Sequence, residues 1–169
     1  LVLPQSQFYY WEELCNKYNF TKNYTLVAGG ETRFHSVKNG LERVDEKSIV
    51  AIHDGVRPLI STKLIDSLID KIKNGIGVIP IVPVRNSIRK VDAEISTHVD
   101  RTDLYQVQTP QCFLSDEIKE SYAQEYSEKF TDDSSVFENY GGKIITLLGE
   151  EENLKITTEE DLKIASILF

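Results

Sequence analysis

Hydrophobic and polar positions along the chain alternate between two periods. Short apolar runs occur at "LVLP", "YTLVAGG", "SIVAIHD" and "IGVIPIVPV", each with the length and branched content of a strand. Between them lie segments whose apolar residues recur three and four apart. Gln7 to Tyr18 carries Phe8, Trp11 and Leu14 on one side, "RFHSVKNGLERV" reads as a second helix and "STKLIDSLIDKIKNG" as a third. In the third, Ser61 is the expected N-cap, Leu64, Ile65, Leu68, Ile69 and Ile72 form the apolar stripe, and Gly75 is the expected stop. Strands apolar on both faces and separated by helices predict an α/β fold of the doubly wound kind, with a mostly parallel sheet covered by helices.

The rhythm breaks from Arg85 to Leu104. Two short alternating runs, Ser87 to Val91 and Ile95 to Val99, flank a turn-like Asp92-Ala93-Glu94, which predicts an exposed β-hairpin. A two-stranded ribbon is marginal alone in water, so a covering partner such as a second subunit is expected. "YQVQTPQCF" follows without a clear element, then a helix from Asp116 to about Ser127. "TDDSS" reads as a helix start with acidic residues at the positive end of the dipole. A strand "KIITLLG" precedes the last helix, which Thr158 and Asp161 enter as a capping-box pair.

Composition narrows the field. A length of 169 residues fits one domain, 1–169, with 85–104 as its protruding arm, and 40% hydrophobic with 27% charged residues is ordinary globular usage. A net charge of -8 disfavours nucleic acid, which needs a basic face. The two cysteines, Cys15 and Cys112, are too few for a disulfide framework and imply a reducing, cytoplasmic compartment. Neither a membrane-length apolar run nor a secretion signal is present in the sequence, so the sequons at Asn19 and Asn23 read as chance. No metal-ligand spacing occurs either. With no methionine, the chain is expected to begin inside a longer protein.

Ligands of open α/β sheets sit beyond the carboxyl ends of strands. Three polar clusters fall there: Gly29-Gly30-Glu31, His53-Asp54-Gly55-Val56-Arg57 and Arg85-Asn86-Ser87. Asp54 and Arg57 have two readings, a ligand pair or a plain Asp-Gly turn closed by its own ion pair. In "NLKIT", Lys155 points away from Leu154 and Ile156 if the segment is a strand. His35-Ser36 lacks the G-x-S-x-G setting of a nucleophile.

Taken in order, "AGGETRFHSVKNGL", "VAIHDGVRP", "IPIVPVRNSIRKV", "VDRTDLYQVQTPQCF", "TDDSSVFENYGG" and "NLKITTEEDL" resemble the 2-C-methyl-D-erythritol 4-phosphate cytidylyltransferase family, from about Val27 to the C-terminus. The resemblance implies a Rossmann-like nucleotidyltransferase fold and a homodimer whose hairpin arms cross. It implies that Gly30, Glu31 and Ser36 lie by the cytosine and Gly55 near the ribose. Asp54 and Arg57 would line the pocket between nucleotide and sugar phosphate. Ser87 and Arg101 would reach the acceptor from the partner's arm, and Thr109, Thr131 and Lys155 would complete its pocket beside Thr157. Glu31 stands where the family commonly has Asp, and Ser87 where it often has Thr.

The implied chemistry joins CTP to a sugar-alcohol phosphate, so cations and positioning are needed rather than a protein nucleophile. Lys155, Arg57 and Arg101 supply the cations, Asp54 addresses hydroxyls or a metal's waters, and Mg²⁺ is held mainly by the triphosphate. The family's glycine-rich basic loop has no counterpart in "LVLPQSQFYYWEELCNKYNF". Two alternatives stand beside the leading one: a ribitol-5-phosphate cytidylyltransferase, which shares most of these motifs, and a non-catalytic dimeric remnant that lacks the loop and binds sugar phosphate without CTP.

Overall fold

The alternation in the sequence is realised element by element in the computed structural model, which describes residues 1–168. In chain order these are β1 (Val2–Leu3), a 3-10 turn at Gln5–Gln7, α1 (Phe8–Lys17), β2 (Val27–Ala28), α2 (Arg33–Leu41), β3 (Ile49–Ile52), α3 (Thr62–Ile69) and β4 (Ile76–Pro83). The hairpin follows as β5 (Ile88–Asp92) and β6 (Ile95–Val99), then β7 (Tyr105–Val107) and β8 (Gln111–Leu114). The chain continues through α4 (Ser115–Ser121), α5 (Asp133–Asn139), β9 (Lys143–Leu148) and α6 (Glu159–Leu168). The described residues form two compact units, Leu1–Val50 with Phe113–Lys143, and Ala51–Cys112 with the residues from Ile144 onward.

In the first unit β1 and β2 pair in parallel, Val2 opposite Val27 and Leu3 opposite Ala28. α2 starts at Thr32, whose hydroxyl accepts the His35 amide. Its Phe34 is buried, with its ring stacked on Tyr122 at 4.7 Å and on Phe130 at 5.6 Å. The acidic "TDDSS" does open a helix: Asp132 caps α5 by accepting the Ser135 amide, and Ser135 returns the bond as a capping box. Trp11 of α1 meets Phe20 and Tyr24 edge-on at 5.7 and 5.6 Å.

In the second unit, Ser61 caps α3 as its sequence predicts, accepting the Leu64 amide at 3.0 Å. The stripe buries Leu64 and Leu68 against Val78 and Cys112, with Ile60, Ile72, Ile76 and Leu147 packed around them. Burial pushes the Cys112 thiol up to about 12, so it stays protonated and inert. The hairpin is present, with Ile88 opposite Val99 and Asp92 opposite Ile95.

The principal sheet runs β3-β8-β4-β7, with β9 also bonded to β4. It is mixed where mostly parallel strands were expected, because β4 is antiparallel to both β7 and β8. β7 and β8 come largely from "YQVQTPQCF", whose one proline and three glutamines mask any strand period.

Two boundaries also differ. α3 ends at Ile69, and Gly75, at φ +73°, instead turns the chain into β4 beside the Lys73–Ile76 bridge. α4 stops at Ser121 rather than near Ser127, since the Gln124 side chain donates to the Ser121 carbonyl that a further turn would need. "NLKIT" forms no strand, although Lys155 is exposed between two half-buried neighbours as the alternation implied.

Leu68 has no exposed surface, so Leu68→Ala is expected to cost about 2–5 kcal/mol through lost burial and the cavity left behind. A lower urea midpoint at unchanged slope by circular dichroism checks this.

Candidate active site

In the second unit a charged pair, Asp54 and Arg57, sits on the loop that leaves β3. Past Ile52 the chain turns back on itself, and the Arg57 amide donates to the Asp54 carbonyl at 3.0 Å. The Asp54 amide donates to Thr109 Oγ1, also at 3.0 Å. Both cations of the site converge on one oxygen: Lys155 Nζ is 3.1 Å and Arg57 Nε 3.5 Å from Asp54 Oδ2. The Asp54 and Arg57 side chains are only 14% and 12% exposed, whereas Lys155 is 48% exposed. The ion pair of the turn reading is therefore real, but a third charge shares it, which a self-contained turn does not need.

A buried amide lattice fixes the segment that carries Lys155. Asn153 has no exposed surface and donates through Nδ2 to the Thr109 carbonyl at 2.9 Å. Its own carbonyl accepts Arg57 Nη1 at 2.8 Å. Gln108 Nε2 donates to the Glu150 carbonyl at 2.7 Å, and the Glu150 amide returns a bond to Gln108 Oε1 at 3.2 Å. This approach requires Gly149, where a Cβ would lie 2.3 Å from Gln108 Oε1. Beyond it, the Ile156 amide donates to the Val56 carbonyl at 2.8 Å, tying the Lys155 segment to the Asp54–Arg57 loop. Two side-chain atoms of this cluster, Arg57 Nε and Asn153 Oδ1, are buried with no hydrogen-bond partner.

The structure thus brings together Asp54, Arg57, Thr109 and Lys155. Gly55 sits at the open side of the loop, with nothing within 4 Å of where its Cβ would be. Thr157 is occupied otherwise: its amide and hydroxyl donate to Asp161 at 2.9 and 3.0 Å, at the entrance to α6. Ser87 and Arg101 are exposed at the root of the hairpin, just before β5 and just after β6. Arg85 of the third cluster pairs with Glu151 at 2.8 Å on the surface. Sequence reasoning did not single out Asn153 and Gln108. Their signal was faint, two amides in "QTP" and "NLKIT" that only a buried lattice makes meaningful.

The first unit holds the remaining positions. Ser36 Oγ accepts the Gly30 amide at 3.0 Å and donates to the Thr32 carbonyl at 2.9 Å, so serine and glycine lock the entrance of α2 together. Glu31 is exposed beside them, and Thr131 is exposed just ahead of the α5 cap. Arg33 makes a two-pronged pair with the buried Asp133 at 2.9 and 2.6 Å. Tyr122 donates to the same carboxylate at 2.6 Å. Burial first, and then Asp133, push that hydroxyl up, so it remains a donor.

Comparison with known proteins follows the same residues. The family model described as 2-C-methyl-D-erythritol 4-phosphate cytidylyltransferase matches residues 1–169. The chain is 45% identical over 169 residues to the protein of that name from Phocaeicola vulgatus, covering 100% of this chain and 77% of that protein. It is 46% identical over 170 residues to the one from Porphyromonas gingivalis, again at 100% and 77%. Among solved structures it is similar to the 4-diphosphocytidyl-2C-methyl-D-erythritol synthase of Anaerococcus prevotii, with TM-score 0.80 and 31% identity, covering 99% of this chain and 76% of that one.

Asp161 offers a pH test of the segment beside Lys155. Its carboxylate accepts both the Thr157 and Thr158 amides, and these bonds hold it below the ordinary 3.8. The stabilisation is fully present above 3.8 and is lost as pH falls through the lowered folded value. A carboxyl-carbon NMR titration is expected to place the Asp161 midpoint below 3.8, with α6 loosening as it protonates. A midpoint at or above that value would mean the cap does not form in solution.

Proposed function

The chain belongs to the 2-C-methyl-D-erythritol 4-phosphate cytidylyltransferase family, and from that premise we infer that the Asp54–Arg57–Lys155 cluster handles the phosphates of its reaction. The enzyme transfers a cytidylyl group from CTP to 2-C-methyl-D-erythritol 4-phosphate in isoprenoid biosynthesis. The observation that carries the residue assignment is the convergence of two cations on one carboxylate oxygen at the end of β3.

The acceptor's phosphate oxygen attacks the α-phosphorus of CTP. A new O–P bond forms, the bond to the β-phosphate bridging oxygen breaks, and its electron pair leaves with pyrophosphate. The nucleophile arrives already ionised, so the chain needs no general base, and none of its residues is assigned one. Arg57 is held from behind by the Asn153 carbonyl, which aims a fixed planar donor at phosphate. Lys155, half exposed and paired with Asp54, is the mobile charge. It exchanges its carboxylate partner for phosphate as negative charge shifts toward the leaving group. Asp54 is thereby released to accept from sugar hydroxyls, and Gly55 leaves the loop's open side free for the ribose. Thr109 serves mainly as a brace for the Asp54 amide. In the first unit, the Gly30–Ser36 lock at the start of α2 is assigned to the cytosine, with Glu31 exposed beside it.

Among the described residues no three His, Cys, Asp or Glu side chains gather as a metal site. An Mg²⁺ ion held mainly by the triphosphate is kept as the cofactor of this reading, where it would neutralise phosphate charge, and Asp54 is the cluster's carboxylate available to its waters. The hairpin supports a homodimer: Val91 is 67% and Ile95 74% exposed at its tip, apolar surface suited to a second copy. Ser87 and Arg101 at its root would then act on the acceptor held by the other subunit. Thr131 is kept with the acceptor pocket on the resemblance alone, and Thr157 as a neighbour that orders α6. No described helix is long and apolar enough to cross a membrane, and the two free thiols suit a cytoplasmic site of action.

Turnover with CTP and each acceptor tests the reading by pyrophosphate release. Methylerythritol phosphate is expected to exceed ribitol 5-phosphate in kcat/KM, and the reverse order would move the enzyme to the other substrate. Lys155→Ala is expected to lower kcat by roughly 10²–10³ fold with the fold intact, the scale of losing one preorganised charge donor. Unchanged pyrophosphate release would remove Lys155 from the site. Arg101→Ala is expected to raise KM for the acceptor several-fold while leaving KM for CTP near its starting value, since the arm reaches only the sugar phosphate.

A further inference from the structure

His53 belongs to the strand-end cluster, yet the reaction above gives it no task. Its ring lies between the groups that hold the loop. Nε2 is 2.9 Å from the Arg57 carbonyl oxygen, and Nδ1 is 3.0 Å from Thr109 Oγ1. A carbonyl only accepts, so Nε2 carries the proton and donates. In the neutral ring Nδ1 is then an acceptor, and the Thr109 hydroxyl donates to it. Thr109 keeps its lone pairs for the Asp54 amide at 3.0 Å. Every proton in this chain has one direction: Asp54 N–H to Thr109, Thr109 O–H to His53, His53 Nε2–H to the Arg57 carbonyl. It begins on one functional residue and ends on the other. The ring is otherwise exposed, so hydrogen bonds rather than packing define its place.

We propose that His53 is a positioning residue for cytidylyl transfer, fixing the Asp54–Arg57 turn through its two ring nitrogens so that the guanidinium meets phosphate at a set position. The proposal rests on the assignment of Arg57 to substrate phosphate. The turn's own bond, Arg57 amide to Asp54 carbonyl, leaves the Arg57 carbonyl free to swing. His53 closes that freedom from the far side, while the Asn153 carbonyl holds the guanidinium. Few other side chains do both jobs at once. A glutamine amide reaches the Arg57 carbonyl but surrenders the Thr109 contact, and an asparagine amide does the opposite.

The test is a double-mutant cycle on the full chain, reading kcat/KM for the acceptor at saturating CTP, with thermal melting alongside. His53→Ala is expected to lose about tenfold, chiefly as a higher KM for the acceptor, with a melting temperature within a few degrees of the parent. His53→Gln should regain most of that loss and His53→Asn little of it, because the bond to the Arg57 carbonyl carries the effect. In an Arg57→Ala background, His53→Ala should cost less than twofold, as the guanidinium through which the effect runs is gone. A full tenfold penalty in that background would overturn the proposal. So would a matching fall in melting temperature with no rescue by glutamine. If Arg57→Ala alone leaves kcat/KM unchanged, the assignment of Arg57 fails, and the role of His53 falls with it.

Discussion

One carboxylate oxygen governs the arrangement of the second unit. Lys155 and Arg57 carry like charges and come from segments about a hundred positions apart in the chain, yet both meet Asp54 Oδ2. Without that oxygen their repulsion would push the flexible lysine into solvent. A shared anion is also a replaceable one: a phosphate oxygen satisfies the same two cations. On the proposed assignment, the spacing of those two cations outlines the charge of the phosphate they would take, and a site organised in this way would need little rearrangement on binding.

Holding that oxygen in place falls to neutral groups. Thr109, Asn153, Gln108 and the Glu150 backbone form a lattice of hydroxyl, amide and carbonyl groups bonded to one another. Neutral scaffolding suits a site whose charges must remain available, because a charged brace would compete for the ligand. The first unit answers a different need by the opposite means. There Asp133 is fully buried, and Arg33 and Tyr122 converge on it. A buried carboxylate of that kind is strongly destabilising if left unpaired, so the three residues stand or fall together.

Much of this was legible in the sequence wherever the signal is local. The Ser61 cap, the Leu64–Leu68 stripe, the β5–β6 hairpin, the helix start at "TDDSS" and the Thr158–Asp161 box each depend on residues within a few positions. The Asp54–Arg57 turn was legible too, and its third member was suspected separately. What remained hidden depends on which atoms pair, whether near or far along the chain. Gln124 ends α4 by taking a carbonyl, Gly75 serves the turn after α3 rather than its end, and β7 and β8 are strands by pairing with β4 rather than by pattern. Asn153, Gln108 and His53 were visible as letters, but their meaning lies in which atom faces which.

The packing around Trp11 has a practical side. It is the one tryptophan in the sequence, and it is set edge-on between Phe20 and Tyr24. Intrinsic tryptophan emission consequently watches a single neighbourhood, the stretch around α1, while far-ultraviolet dichroism averages over every helix and strand. The molecule thus carries a built-in local reporter beside a global one. Coincident denaturation curves from the two would establish that the N-terminal segment melts with everything else, and separated curves would reveal a piece that loosens independently.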